Sequence, residues 1–224
     1  MLKRNKIYFV GLLSAALLAG AVARASDNPT MDGDVAHLEH EWARIKYQVS
    51  DRSAQLSQID ALGKEAATIV QRYPGRAEPL VWDGIVTSEE AAMASIFTAL
   101  SYAKSARAMF EKAESIDPNV LDGAVPMSLG TLYYRVPGFP IGFGDTDKAR
   151  HYLEEALAKD PNGMDANYFY GDFLFEQGEY DKANRLLNHA LDAPVNAARP
   201  VWDAGRRAEI HDLIHKLDKK VAQR

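Results

Sequence analysis

One cadence returns three times along this chain, and few folds accommodate it. Ala183, Leu187 and Ala190 stand at helical spacing; 34 residues earlier stand Ala149, Leu153 and Ala156, and 43 residues before those come Ala106, Phe110 and Ala113. Each run reads A-x3-[FL]-x2-A, and each is closed by a proline, Pro194, Pro161 and Pro118. Residues at i, i+4 and i+7 share one helix face, so every run presents a small, bulky, small profile to a neighbour before proline ends the helix. A glycine precedes each run, at Gly171, Gly130 and Gly84. It lets a preceding helix come close, and Gly171 is expected opposite Ala183. A hairpin of this kind cannot bury its own apolar face, so recurrence implies stacked hairpins sharing one core.

The unit Met164 to Ala197 has the length and landmarks of a tetratricopeptide (TPR) repeat, and it resembles that family. The resemblance implies an all-α fold: a right-handed superhelical array of antiparallel helix pairs, a TPR-like solenoid whose first helices line a concave groove. Leu129-Gly130-x2-Tyr133 follows the repeat well and Asp83-Gly84-x2-Thr87 follows it poorly. Ten surplus residues between Gly84 and Ala106 are helix-favouring, which predicts longer helices there rather than a loop.

The first residues lie outside that array. Lys3, Arg4 and Lys6 precede an apolar run from Ile7 to Ala23 and the small-residue pattern Ala23-Arg24-Ala25, which reads as a secretory signal peptide over 1–25. Cleavage is placed after Ala25, with Ala21-Val22-Ala23 as a second candidate and an uncleaved anchor as the alternative. The chain has no cysteine, which excludes disulfides and lipid attachment through cysteine, and a periplasmic location is expected. Removing the leader's four basic residues from the chain's 26 leaves 22 against 31 acidic ones, a net charge of −9. That balance argues against nucleic acid and membrane surfaces as partners. The remaining divisions are a flexible lead-in at 26–33, an N-terminal helix pair at 34–76, repeats at 77–198 and a capping helix at 199–224. The cap is expected to place Ile210, Leu213, Ile214, Leu217 and Val221 on an apolar face and Arg206, Arg207, Lys216, Asp218, Lys219 and Lys220 on a wet one.

The stretch Val136-Pro137-Gly138-Phe139-Pro140-Ile141-Gly142-Phe143-Gly144-Asp145 cannot continue a helix, yet its four large apolar side chains are costly to leave in water. It is expected to be an ordered, partly buried loop, with Asp145 or Thr146 capping the helix after it. With Leu129 to Tyr133 before it and Lys148-Ala149-Arg150 after it, this insert resembles secreted bacterial TPR proteins akin to the T-component of TRAP transporters. That resemblance implies a periplasmic helical array working with a substrate-binding protein, with a homo-oligomer as one form of it.

Enzymatic signals are thin. His37 with His40, and His211 with His215, are the only constellations, and neither has the H-E-x-x-H form of a zinc protease. No metal, cofactor or catalytic residue is assigned. The reading is a non-catalytic scaffold for a protein or peptide partner, with an accessory of a TRAP-type transporter handling a small hydrophobic ligand as the alternative. Its candidate partner-binding residues are Tyr134, Arg135, Phe139, Phe143, Asn167, Tyr168 and Asp172, with Asn167 expected to face the groove beside Arg135 and Asp172.

Overall fold

The computed structural model describes residues 29–223; the leader and its cleavage site lie outside them. Helices follow one another in antiparallel pairs: α1 (Pro29–Gln48) with α2 (Arg52–Arg72), α3 (Ala77–Met93) with α4 (Ile96–Ile116), α5 (Ala124–Arg135) with α6 (Thr146–Lys159), and α7 (Met164–Glu176) with α8 (Tyr180–Leu191). A last helix, α9 (Pro200–Val221), follows without a second helix to pair with it in a hairpin. The surplus between Gly84 and Ala106 is spent on helix, with α3 and α4 joined by only Ala94 and Ser95.

The cadence does the packing it implies, through a slightly different contact. A Cβ placed on Gly171 would lie 2.9 Å from Leu187 Cδ2, one on Gly130 2.7 Å from Leu153 Cγ, and one on Gly84 2.7 Å from Phe110 Cε1. In all three pairs the glycine therefore receives the bulky member of the run, with Ala183 O 3.5 Å from the Gly171 position. The poorly matching first helix of the second pair makes the same contact as the others. Ala106, Ala113, Ala149, Ala156, Ala183 and Ala190 are buried on either side, and the apolar residues join in one core from Met31 to Leu217.

Local signals set the helix ends. Asp51 accepts from the Ala54 N–H at 2.7 Å at the head of α2, and Asp145 accepts from the N–H groups of Asp147 and Lys148 at 3.1 and 3.0 Å at the head of α6. One end is corrected: α1 begins at Pro29, not Asp34, so the stretch expected as a flexible lead-in is helical from that residue on. Proline at a first helical position sacrifices no hydrogen bond, and Met31 is fully buried in the core, which secures the extra turn. Asp34, freed from capping, accepts from the Tyr73 hydroxyl at 2.8 Å and pairs with Arg72 at 2.5 Å, tying α1 to the end of α2.

The inner helices α1, α3, α5, α7 and α9 touch in that order, and α9 also packs against α1. The inner layer thus closes on itself. Gly205 allows the seam, since a Cβ there would sit 2.3 Å from Tyr47 Cγ. The Tyr47 hydroxyl donates to Glu209 at 3.1 Å, Arg199 pairs with Glu39, and His40 Nε2 lies 3.2 Å from Ala198 O. The expected division of α9 into an apolar and a wet face is corrected accordingly. Arg206 is 3% exposed, its guanidinium 4.5 Å from the Tyr168 ring and 4.7 Å from the Phe169 ring, bonded to Asp165 at 2.6 Å and Glu209 at 2.5 Å. Burial alone would lower its pKa, but Asp165, Tyr47 and Glu209 outweigh that and hold the charge. Val221, assigned to the apolar face, is exposed.

Candidate functional site

The structure separates the seven candidate residues into two places and removes one from both. At the groove, the end of α5 meets the middle of α7. The Tyr134 hydroxyl donates to Asp172 Oδ2 at 2.5 Å, Arg135 pairs with the same oxygen, and Asp172 is buried. Burial first, and then the Asp172 charge, holds the Tyr134 pKa well above its ordinary value, so the phenol stays a donor. Arg135, half-exposed, lies 4.8 Å from the Tyr134 ring and reaches Glu176 at 3.8 Å. Tyr134 and Asp172 thus join two helices, while the Arg135 head and Glu176 face outward.

Asn167 is 0% exposed and does not face the groove. Its Nδ2 donates to Pro161 O and Gly163 O, both at 2.9 Å, and its Oδ1 is buried without a partner. Helical phase alone puts it on the inner side, but it lies in the first turn of α7, where the preceding Pro161–Gly163 turn folds over it. Tyr168 is partly covered by Arg206, and burial pushes its pKa up to about 12.

What remains of the groove lies on either side of α9. A cavity of about 300 Å³ is bordered by Arg135, Tyr168, Asp172, Phe175, Glu176 and, from α9, Glu209, Asp212, Leu213 and Lys216. A second, of about 400 Å³, opens across α9 between Lys46, Tyr47, Arg52, Glu89 and Met93, and shares Glu209 and Asp212 with the first. Lys46 joins the two acidic walls, pairing with Glu89 at 3.2 Å and Glu209 at 3.7 Å. Of these residues the sequence reading finds only Arg135, Tyr168 and Asp172. Phe175 and Glu176 follow Asp172 on α7; the rest come from α1, α2, α3 and α9, and no local pattern shows that α9 returns to α1.

The other place is the loop after α5. Phe143 packs edge-on to Tyr133 at 5.7 Å with Arg107 4.4 Å from its ring, and Val136 is likewise half-buried. Phe139 and Ile141, expected to share in that burial, are 93% and 71% exposed. Backbone bonds explain the difference: Gly144 N donates to Pro137 O and Asp145 N to Tyr133 O, both at 2.9 Å, so the loop closes at its base and its tip stands clear. Phe97, on the first turn of α4, is 92% exposed. It was legible as an apolar residue outside the Ala103, Ala106, Phe110 stripe.

His37 Nε2 lies 3.3 Å from Glu65, His211 and His215 are exposed, and among the described residues no group of three or more His, Cys, Asp or Glu is arranged to hold a metal ion.

Comparison with known proteins follows the same lines. The tetratricopeptide-repeat family matches residues 141–205, the third pair's second helix through the start of α9. No curated protein matches the chain. Among solved structures, a thermophilic TPR protein of Thermus thermophilus superposes with a TM-score of 0.53 at 14% identity, covering 80% of this chain and 98% of that one. MamA is similar at a TM-score of 0.43 and 16% identity (79% and 98% covered), and yeast Tom70 at 0.45 and 12% (87% and 45% covered). Repeat geometry, cadence and the partial family match agree: the chain folds as an all-helical, TPR-like repeat solenoid.

Proposed function

We propose that this is a periplasmic, non-catalytic scaffold that holds a protein or peptide partner in the groove beside α9. The observation that carries the reading is the cavity between α5, α7 and α9, where Tyr168 and Phe175 lie beside the half-exposed Arg135 and Glu176 and the exposed Lys216. Aromatic walls with a few charged groups suit recognition of a short segment, and an aromatic and an arginine are the types that anchor such contacts. The charges are paired with one another, Lys46 with Glu89 and Arg135 with Asp172, an arrangement for binding rather than for proton transfer. The periplasmic part rests on the leader pattern in 1–25.

A photo-crosslinking residue at Lys216, in protein expressed with its own leader, is expected to give a discrete adduct in the periplasmic fraction. The same residue at Arg185, exposed on the outer helix α8, is expected to give none. Equal labelling at both positions, or recovery of the protein from the cytoplasm alone, contradicts the reading. A transporter accessory is the second reading, favoured by the Pro137-Gly138-Phe139-Pro140 to Phe143-Gly144-Asp145 insert; an adduct with a solute-binding protein would select it. Charged walls on both cavities disfavour a small hydrophobic ligand inside them.

A further inference from the structure

We propose that the tip of loop 136–145 and the first turns of α4 form a knob that seats on a bilayer surface carrying anionic headgroups. Phe97, Phe139 and Ile141 line neither cavity, and the proposal does not depend on the partner bound there.

The knob is built to hold apolar side chains out. Besides the two bonds at its base, Ile141 N and Gly142 N both donate to Gly138 O at 3.1 Å. Gly144 is packed so closely that a Cβ would lie 1.9 Å from Val136 O. A loop so constrained cannot fold Phe139 and Ile141 inward. Beside it, Leu100 Cδ1 comes within 3.3 Å of the Cβ position of Gly142, and Phe97 lies one turn earlier on the same side of α4.

Charge then distinguishes this end from the rest. The chain has 31 acidic residues, yet none occurs from Ala91 to Phe110 or from Gly123 to Gly144. These two segments meet at the knob. Lys104 continues the Phe97, Leu100 side of α4, Arg107 follows at the Phe143 ring, and Lys148 lies 5.4 Å from the Tyr133 ring. Of the carboxylates that flank these segments, Glu111 pairs with Arg107 at 3.3 Å and Asp145 caps α6, while Asp147 is exposed in the first turn of that helix. Whole-chain charge, which argues against membranes, averages this distribution away.

The same features favour a bilayer over a protein pocket. Phe97, Phe139 and Ile141 are 92%, 93% and 71% exposed, whereas the anchors of a protein hot spot sit in sheltered, well-packed pockets. Separate apolar side chains with cations next to them match the headgroup boundary, where each takes its own depth. Among the described residues no helix is long and apolar enough to cross a membrane, so the contact is peripheral.

The chain from Ser26 onward holds the whole described fold and lacks the apolar leader, which would bind lipid by itself. It is expected to co-sediment with vesicles containing phosphatidylglycerol about tenfold more strongly than with phosphatidylcholine alone. Phe139→Ser with Ile141→Ser should weaken sedimentation at least about tenfold, and Lys104→Glu about fivefold. Because the chain has no cysteine, Ile141→Cys carries a single environment-sensitive fluorophore, whose emission should shift to the blue on vesicles while the same label at Arg185→Cys does not move. Absence of sedimentation, equal binding to both vesicle types, or an unshifted label at 141 overturns the proposal. So does a concentration-dependent dimer abolished by the double substitution, which would make the knob's occupant a second copy of this chain.

Discussion

Leu187 fills the space that Gly171 leaves and is fully buried, so its truncation leaves a cavity next to a residue with no side chain to relax into it. Leu187→Ala should cost about 3 kcal/mol, read from the midpoint of chemical denaturation with an unchanged slope. Asp83, one residue before the corresponding glycine of α3, behaves differently. It is buried, and desolvation raises its pKa from 3.8 to about 6. A carboxyl raised in the folded state binds its proton more tightly there than in the unfolded chain. Its contribution is therefore full below about pH 4 and is lost as pH rises through 6. The loss amounts to about 2 to 3 kcal/mol. Glu90, raised to about 7 by burial and then by Asp60 and Asp83, acts in the same direction. Asp83→Asn should flatten the difference in melting temperature between pH 4 and pH 7 relative to the parent; an identical pH profile would contradict this assignment. The repeat register puts Asp83 in the slot of Leu129 and so on the inner face, whereas nothing local marks Asn167 as covered, because that depends on how the preceding turn folds over it.

Among the elements, the loop after α5 is the one whose character the sequence half reveals. Its prolines and glycines rule out a helix and Asp145 caps α6 as its position implies, yet only two of its four apolar side chains are covered. Composition says that burial is favourable for all four; backbone closure decides which can reach it. Phe143→Ala should cost about 2 kcal/mol, less than a fully buried phenylalanine because the ring is half-covered. Phe139→Ser should leave the melting temperature within the effect of about 0.5 kcal/mol expected of an exposed position. Equal losses at the two sites would mean that the tip is covered in solution.

At the scale of the molecule, the decisive contact is α9 against α1. Alanine at Gly205 would gain about 1 kcal/mol of helix propensity, but its Cβ would meet the rigid Tyr47 ring at 2.3 Å, and overpacking against an aromatic ring costs about 1 to 3 kcal/mol. Overpacking should win, so Gly205→Ala is expected to lower stability and to raise hydrogen exchange in α1 and α9 together. Selective loosening of α9 alone would show that the ring is not closed by this seam. The cadence of Ala, Leu and Pro determined that this chain forms helix pairs and stacks them, because spacing along one helix face is a local property that any neighbour must satisfy. Only the tertiary structure decided that the stack curves back on itself, that Arg206 is an inner residue, and that the groove narrows to two cavities. Those outcomes depend on small rotations between successive pairs, summed over the array, and no single repeat encodes the sum.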